Sequence, residues 1–317
     1  MIMQNSIEEL TYGHKIYNFM RWSYIAFMLS IITFIASITV IFLCGFNLGL
    51  DFTGGTVIEL KLEKTTDINK IREAIQHAVF RDPIVQYIGN NKNIIVRIPP
   101  VEENTEKKLG NKVLRVIDKV TNQKATLTRL EYIGPNVSYD ILSAGIISLL
   151  LAIICIFIYV VVRFEWRLAT GTVIALIHDV VITLGLLSLF HLEIELTIIA
   201  ALISVIGYSL NDSIVVSDRI RENFRKISSI NTNAYEIFNI SLTQTLSRTM
   251  ITSAITMMVV LILLIFGGSM LRVFSITLLT GVFIGTISSI YVASALALKL
   301  GMKREHIMQQ QINKESI

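Results

Sequence analysis

Cysteine and charge are both scarce in this sequence, and each scarcity excludes something. Cys44 and Cys155 are the only two cysteines in 317 residues. Both fall inside apolar runs, which predicts no disulfide framework and reads as two small buried hydrophobes. Charged residues make up 16% of the chain against 53% hydrophobic ones, with a mean hydropathy of +0.62. That balance points to an integral membrane protein. No His/Cys cluster has metal-ligand spacing, and no nucleophile stands beside a base. The expectation is therefore a protein that is not an enzyme and takes no metal or cofactor.

What the sequence has is long apolar runs. Six approach or exceed the length of about 20 residues that a helix needs to cross a bilayer: Ser23–Phe46, Ile141–Val162, Leu168–Phe190, Ile194–Ser217, Met250–Phe266 and Val273–Leu298. The first is too long and starts too late for a signal peptide, and Leu43 before Cys44 does not suit a lipoprotein site. Basic residues in the short loops set the expected orientation. Lys15 and Arg21, Arg163 and Arg167, the cluster Arg219, Arg221, Arg225 and Lys226, and Lys299, Lys303, Arg304 and Lys314 all fall on one side. The opposite loops carry His191, Glu193, Glu195 and only Arg272. Both termini are thus expected in the cytoplasm. The net charge of +4 restates this asymmetry, so no nucleic-acid partner is read from it.

The polar stretch between the first two runs has a pattern of its own. Thr56–Leu62 alternates as a strand, and Asp67 is the expected cap for a helix running to Phe80 with Ile68, Ile71, Ile75 and Val79 along one side. Ile84–Ile88 and Ile94–Ile98 read as strands joined through Gly89-Asn90-Asn91. Glu102–Val120 is a second helix, with Leu109, Val113, Val116, Ile117 and Val120 on its buried side, and Ala125–Ile133 a last strand. This βαββαβ order is that of a ferredoxin-like split fold, expected to be mechanical or binding rather than catalytic. Pro135 is expected to fix the angle at which the chain enters the second run.

The predicted fold class is a membrane all-α bundle of six transmembrane helices, with one ferredoxin-like α+β extracytoplasmic domain inserted between the first and second spans. The expected division is a cytoplasmic N-terminus (1–21), a first transmembrane helix (22–46), an extracytoplasmic domain (47–138), a five-helix region (139–298) and a cytoplasmic tail (299–317). Spans in the five-helix region fall at about 141–162, 168–190, 194–217, 248–266 and 273–298.

Polar residues inside apolar helices are the candidates for chemistry. Ser204, Gly207, Tyr208, Asn211 and Asp212 fall on one helical face, with Val, Ile and Leu opposite. A carboxylate in lipid is costly and usually marks a proton or ion path; the alternative is an acid at the membrane edge that reaches water. Thr172, Asp179 and Thr183 form a second stripe, in which His178-Asp179 reads as a packed hydrogen-bonded pair. Thr245, Arg248, Thr249, Thr252, Ser253 and Thr256 form a third. Arg248 either snorkels to the interface or serves Asp212 as a switchable, permanently charged partner. Gly281, Gly285 and Ser289 make a small-residue seam suited to close helix contact. Gly49-Leu50-Asp51-Phe52-Thr53-Gly54-Gly55, just beyond the first run, can be a turn alone.

Taken in order, these segments resemble a known family. The Gly49–Gly55 stretch, Tyr132–Ser138, His178-Asp179-Val180, Gly207-Tyr208-Ser209-Leu210-Asn211-Asp212-Ser213, Asp218-Arg219-Ile220-Arg221-Glu222-Asn223 and Ser247-Arg248-Thr249 match the SecF side of the SecD/SecF protein-export membrane proteins, relatives of the resistance–nodulation–division transporters. The resemblance runs from about Tyr12 to Leu298. Ser217, where many relatives have phenylalanine, is a departure that leaves the acid untouched.

The resemblance implies a subunit that forms a heterocomplex with SecD and works with the SecYEG channel, and often YajC, in the bacterial inner membrane. It would use the proton-motive force on unfolded preproteins late in export. It further implies that Asp212 is the proton-relay carboxylate and Arg248 the arginine that works with it. Asn211, Tyr208, Asp179, Thr249 and Thr252 are possible supports, and Gly49, Asp51, Phe52, Gly54 and Gly55 are the family motif outside the first span. The opposing carboxylate would come from SecD. Two rival readings are a stand-alone proton-coupled exporter and a non-motor scaffold.

Overall fold

The computed structural model describes residues 16–78, 83–88, 90–99, 106–226 and 233–302. The stretches before residue 16 and after residue 302, and with them most of the predicted cytoplasmic termini, lie outside the described residues. So do Val79, Phe80, Gly89 and the start of the second predicted helix.

In chain order the elements are α1 (Phe19–Cys44), β1 (Asn47–Leu48), α2 (Leu50–Thr53), β2 (Gly55–Lys61), α3 (Ile68–Ala78), β3 (Ile84–Ile88), β4 (Asn90–Ile98), α4 (Glu106–Thr121) and β5 (Thr126–Ile133). There follow α5 (Pro135–Arg163), α6 (Trp166–Leu189), β6 (Glu193–Ile194), α7 (Leu196–Lys226), α8 (Ala234–Phe266) and α9 (Gly268–Ser288). A π-helical turn, Ser289–Ala293, leads into α10 (Ser294–Lys299). Six helical stretches among the described residues are long and apolar enough to cross a membrane. The chain divides into two compact units, Met1–Asn47 with Ser148–Leu192 and Thr197–Ile317, and Leu48–Ile147 with Glu193–Leu196.

In the first unit α6, α7 and the last spanning helix are about half buried, whereas α1, α5 and α8 are mostly exposed. A soluble protein would not leave Phe42, Leu43, Val162 and Phe266 bare; lipid makes such a surface stable. The two cysteines correct the sequence-based expectation, because both are exposed. In a membrane helix apolar character marks the lipid side as well as the interior, so composition alone does not separate the two.

The helices also overrun the apolar runs. Much of the stretch from Asp218 to Ser247, expected as a loop, belongs to two helices: α7 continues to Lys226 and α8 begins at Ala234. Ion pairs one turn apart support the extension of α7, Arg219 with Glu222 at 2.6 Å and Lys226 with Glu222 at 2.7 Å. Asn233 caps α8 by accepting from the Tyr235 N–H. The helix α5 starts at Pro135, six residues before the predicted span, because proline at a first helical position gives up an N–H that has no partner there anyway.

The second unit is a four-stranded antiparallel sheet in the order β3-β4-β2-β5, with α3 and α4 supplying the rest of its core. Thr56, Ile58 and Leu60 of β2 pair with Ile98, Val96 and Ile94 of β4, and all six are buried. Alternation sends these side chains to one face. Ile71 and Ile75 of α3 and Val113 and Ile117 of α4, each pair one turn apart, meet them. Asp67 caps α3 through the Asn69 N–H as expected. Val120, predicted on the buried side of α4, is exposed; it lies in the last turn of that helix. A separate two-stranded sheet joins β1 to β6.

Candidate functional site

The helix α7 is positioned by polar pairs along α8. Tyr208 donates its hydroxyl to Ser253 Oγ at 3.0 Å, which in turn lies 2.7 Å from Thr286 Oγ1 of α9. Arg219 donates to Gln244 at 2.6 Å, and the fully buried Asn223 donates to Ser241 and Gln244, both at 2.8 Å. Numbers rise along α7 as they fall along α8, so the two helices run antiparallel. The same register sets Asp212 level with Thr249.

Asp212 is 2% exposed, and its Oδ2 has no hydrogen-bond partner; nor does the buried Thr249 Oγ1. An isolated ionised carboxylate in such surroundings lacks the hydrogen bonds that offset its desolvation. Arg248, next to Thr249 on α8, is exposed, and no ion pair joins it to Asp212. The site is therefore an acid enclosed by its own chain, with a cation on the open side.

The other candidates divide differently from their grouping by sequence. Ser204, Gly207 and Asn211 are exposed and Tyr208 is half-buried, so the stripe containing Asp212 crosses from the open side of α7 to its packed side. The face opposite is not purely aliphatic, since Ser209, Ser213 and Ser217 recur there every fourth residue and are buried. Serines spaced by four among Val and Ile were the signal for this face. On α8, Thr245, Thr249 and Ser253 are buried. Thr252 is half-buried and spends its hydroxyl on the Arg248 and Thr249 carbonyls of its own helix.

Asp179 is 1% exposed and well satisfied. His178 Nδ1 stands 3.0 Å from its Oδ1, while Ser209 and Ser288 place hydroxyls 2.6 and 2.8 Å from its Oδ2. His178 Nε2 meets Ser30 Oγ at 2.5 Å. Thr172 and Thr183 of that stripe are buried as well. The small-residue seam fits between these groups. A side chain at Gly281 would overlap Val205, and a Cβ at Gly285 would lie 3.0 Å from Ser209 Cβ and 3.5 Å from Asp179 Oδ2. Ser289 is fully buried at the start of the π turn. Among the described residues no group of His, Cys, Asp and Glu is arranged to hold a metal ion.

The stretch Gly49–Gly55 is more than a turn. Gly49 N–H donates to Ile194 O at 2.7 Å, and the Gly49 backbone runs so close to Glu193–Glu195 that a Cβ would sit 2.9 Å from Glu195 Cγ. Asp51 Oδ2 accepts from the Leu196 N–H at 2.8 Å, Phe52 is buried, and Gly54 and Gly55 have φ of 68° and 125°. Arg97 pairs with Glu193 beside them. Glu195 precedes the spanning helix; burial, then the neighbouring carboxylates of Glu193 and Asp51, push its pKa up.

Comparison with known proteins gives a consistent answer. The model of the C-terminal region of the protein export membrane proteins SecD/SecF matches residues 112–303, and that of the SecD/SecF GG motif matches residues 41–66. The chain is 58% identical over 316 residues to the protein translocase subunit SecF of Escherichia coli O157:H7, covering 99% of this chain and 97% of that protein. Against the protein translocase subunit SecF of Vibrio alginolyticus it is 48% identical over 303 residues, 96% of each. The crystal structure of SecDF from Thermus thermophilus, a translocon-associated membrane protein, superposes with a TM-score of 0.81 at 35% identity over 90% of this chain. The match covers 39% of that SecDF chain, so this chain is similar to a part of it. The chain belongs to the SecD/SecF family of protein-export membrane proteins, on its SecF side.

Proposed function

We propose that the chain is one half of a proton-driven machine that assists late steps of preprotein export across the bacterial inner membrane, with Asp212 as its proton-relay carboxylate and no enzymatic reaction of its own. The observation that carries this reading is the burial of Asp212 in a spanning helix with an unpartnered Oδ2. Evolutionary kinship with SecF supports the partner assignment. SecD supplies the other half and the opposing carboxylate, and the pair works beside SecYEG and YajC on an unfolded chain. The exposed polar side chains of Asn211 and Arg248 suit such a partner, because they would be costly to leave against lipid.

In this reading both termini are cytoplasmic, following the distribution of Lys and Arg. The unit carrying β2–β5 is periplasmic and ferredoxin-like, a reading supported by its βαββαβ order and its sheet order. Protonation of Asp212 removes a buried charge and lets the two halves repack; release of the proton to the cytoplasm resets them. Arg248, charged throughout, provides the cation toward which the ionised acid turns. One proton falling through ~150 mV supplies about 3.5 kcal/mol. That biases a two-state domain by a few hundredfold but does not unfold a typical preprotein, so the periplasmic unit acts as a clamp on a chain already unfolded.

The test is export of a secretory protein by the chain assembled with its SecD, measured with and without a proton-motive force. Asp212→Asn is expected to remove the force-dependent component with the assembly intact. Unchanged force dependence would leave a scaffold.

A further inference from the structure

Asp179 is a buried ionisable group that the relay itself does not use, and its surroundings give it a different task. It lies on α6, and its carboxylate is the meeting point of three other helices: Ser209 reaches it from α7, Ser288 from α9, and Ser30 of α1 through His178. Every protein atom in this set is in the helical unit. The hub is also shaped from outside. Gly285 leaves open the space in which the Ser209 hydroxyl and Asp179 Oδ2 meet, and Phe34 stacks on the His178 ring with 9° between the planes.

The chemistry of the hub orders its members. Carboxylate oxygens accept, so the Nδ1 proton of His178 faces Oδ1, and Nε2 is left to take the hydroxyl proton of Ser30. The imidazole thereby holds the carboxylate in one rotamer, with Oδ2 turned to Ser209 and Ser288. Ser209 precedes Asp212 by three residues on α7, so the two lie within one helical turn of each other. Fixing Ser209 fixes the rotation of α7 about its axis at the level of the relay acid. No hydrogen bond holds Asp212 Oδ2, so its placement must come from the backbone that carries it.

We propose that Asp179, oriented by His178, is a positioning residue for Asp212, setting the rotation of α7 through Ser209 and locking it against α9 through Ser288. This rests on the reading of Asp212 as the relay acid. It also accounts for a strongly polar cluster at a place where aliphatic packing alone would hold helices together without defining their rotation.

The test measures Asp212 directly. The full chain, in complex with its SecD in proteoliposomes, is treated with dicyclohexylcarbodiimide, and the rate of modification at Asp212 is read by mass spectrometry of its peptide. Ser209→Ala and His178→Gln are each expected to change that rate about threefold or more, the size of a typical coupling between contacting residues. His178→Asn is expected to restore the rate to near that of the unaltered chain, because its amide nitrogen stands where Nδ1 stands; a ring needed only for bulk would not be rescued by so small a side chain. Ser288→Ala serves as a second, conservative probe should His178→Gln fail to assemble.

An unchanged Asp212 rate in assembled Ser209→Ala and Ser288→Ala complexes would overturn the proposal, as would His178→Asn behaving like His178→Gln. Failure of the underlying relay reading shows separately, as force-dependent export that survives Asp212→Asn.

Discussion

The carboxylate of Asp51 accepts a hydrogen bond at 2.8 Å from the backbone N–H of Leu196, 145 residues further along the chain. Leu196 is the first residue of α7, whose leading N–H groups have no partner within the helix. A residue from the distant short helix α2 thus does what an N-cap normally does locally. Asp51→Ala should cost about 1 kcal/mol in the first turn of α7, and Asp51→Asn much less, since asparagine caps about as well as aspartate. Amide hydrogen exchange at Leu196 and Thr197 checks this. Equal protection in all three chains would mean that the contact is incidental.

The paired glycines after Asp51 face two different constraints. Gly54 adopts φ 68° and ψ 172°, a region nearly closed to other residues. Gly55 has φ 125° in a strand whose partner carbonyl, that of Ile98, occupies the place a Cβ would take. Gly54→Ala is expected to cost about 1–3 kcal/mol in strain. Gly55→Ala should cost more, because the β2–β4 ladder must also shift. Thermal unfolding of the purified chain in detergent, followed through the sheet signal, should rank the two in that order.

Glu195 offers a pH dependence. Burial first, then Glu193 and Asp51, raise its pKa above the unfolded value. The folded state therefore binds its proton more readily, and stability falls as pH rises from the unfolded pKa through the raised folded one. Glu195→Gln should stabilise the segment around Glu193–Leu196 at neutral pH, with the advantage fading as the medium is acidified below the range where Glu195 titrates. Proteolysis or exchange measured at neutral and acid pH distinguishes this from a uniform effect.

Gly281 and Val205 press together where α9 crosses α7. Adding a methyl group at Gly281 leaves the branched valine no flexible end to move, so Gly281→Ala should destabilise by about 1–3 kcal/mol. Val205→Ala opens the space, and the double variant should recover much of the loss. Strict additivity, read from melting of the two single and the double variants, would place the strain elsewhere.

How much of this was legible beforehand can be seen residue by residue. The six spans follow from the length of the apolar runs and the capping role of Asp67 from its residue type; the βαββαβ order and the seam at Gly281 and Gly285 follow from periodicity, because burial on one face imposes a period of 2 or 3.6. The choice of Asp212 as a candidate followed from the cost of a carboxylate among aliphatic residues, which is local information. The exposure of Cys44 and Cys155 did not follow, since lipid and protein interior select the same residues.

Nor could spacing alone assign partners. The neighbouring pair His178-Asp179 was readable, but that Asp179 also gathers Ser209 and Ser288 from other helices, and that Asp51 caps α7, depends on which helix comes to lie against which. Those pairings span 30 to 145 residues of sequence, and a hydrogen bond needs its atoms placed within tenths of an ångström. A sequence pattern defines the face a residue occupies; only packing of one element against another decides what that face meets.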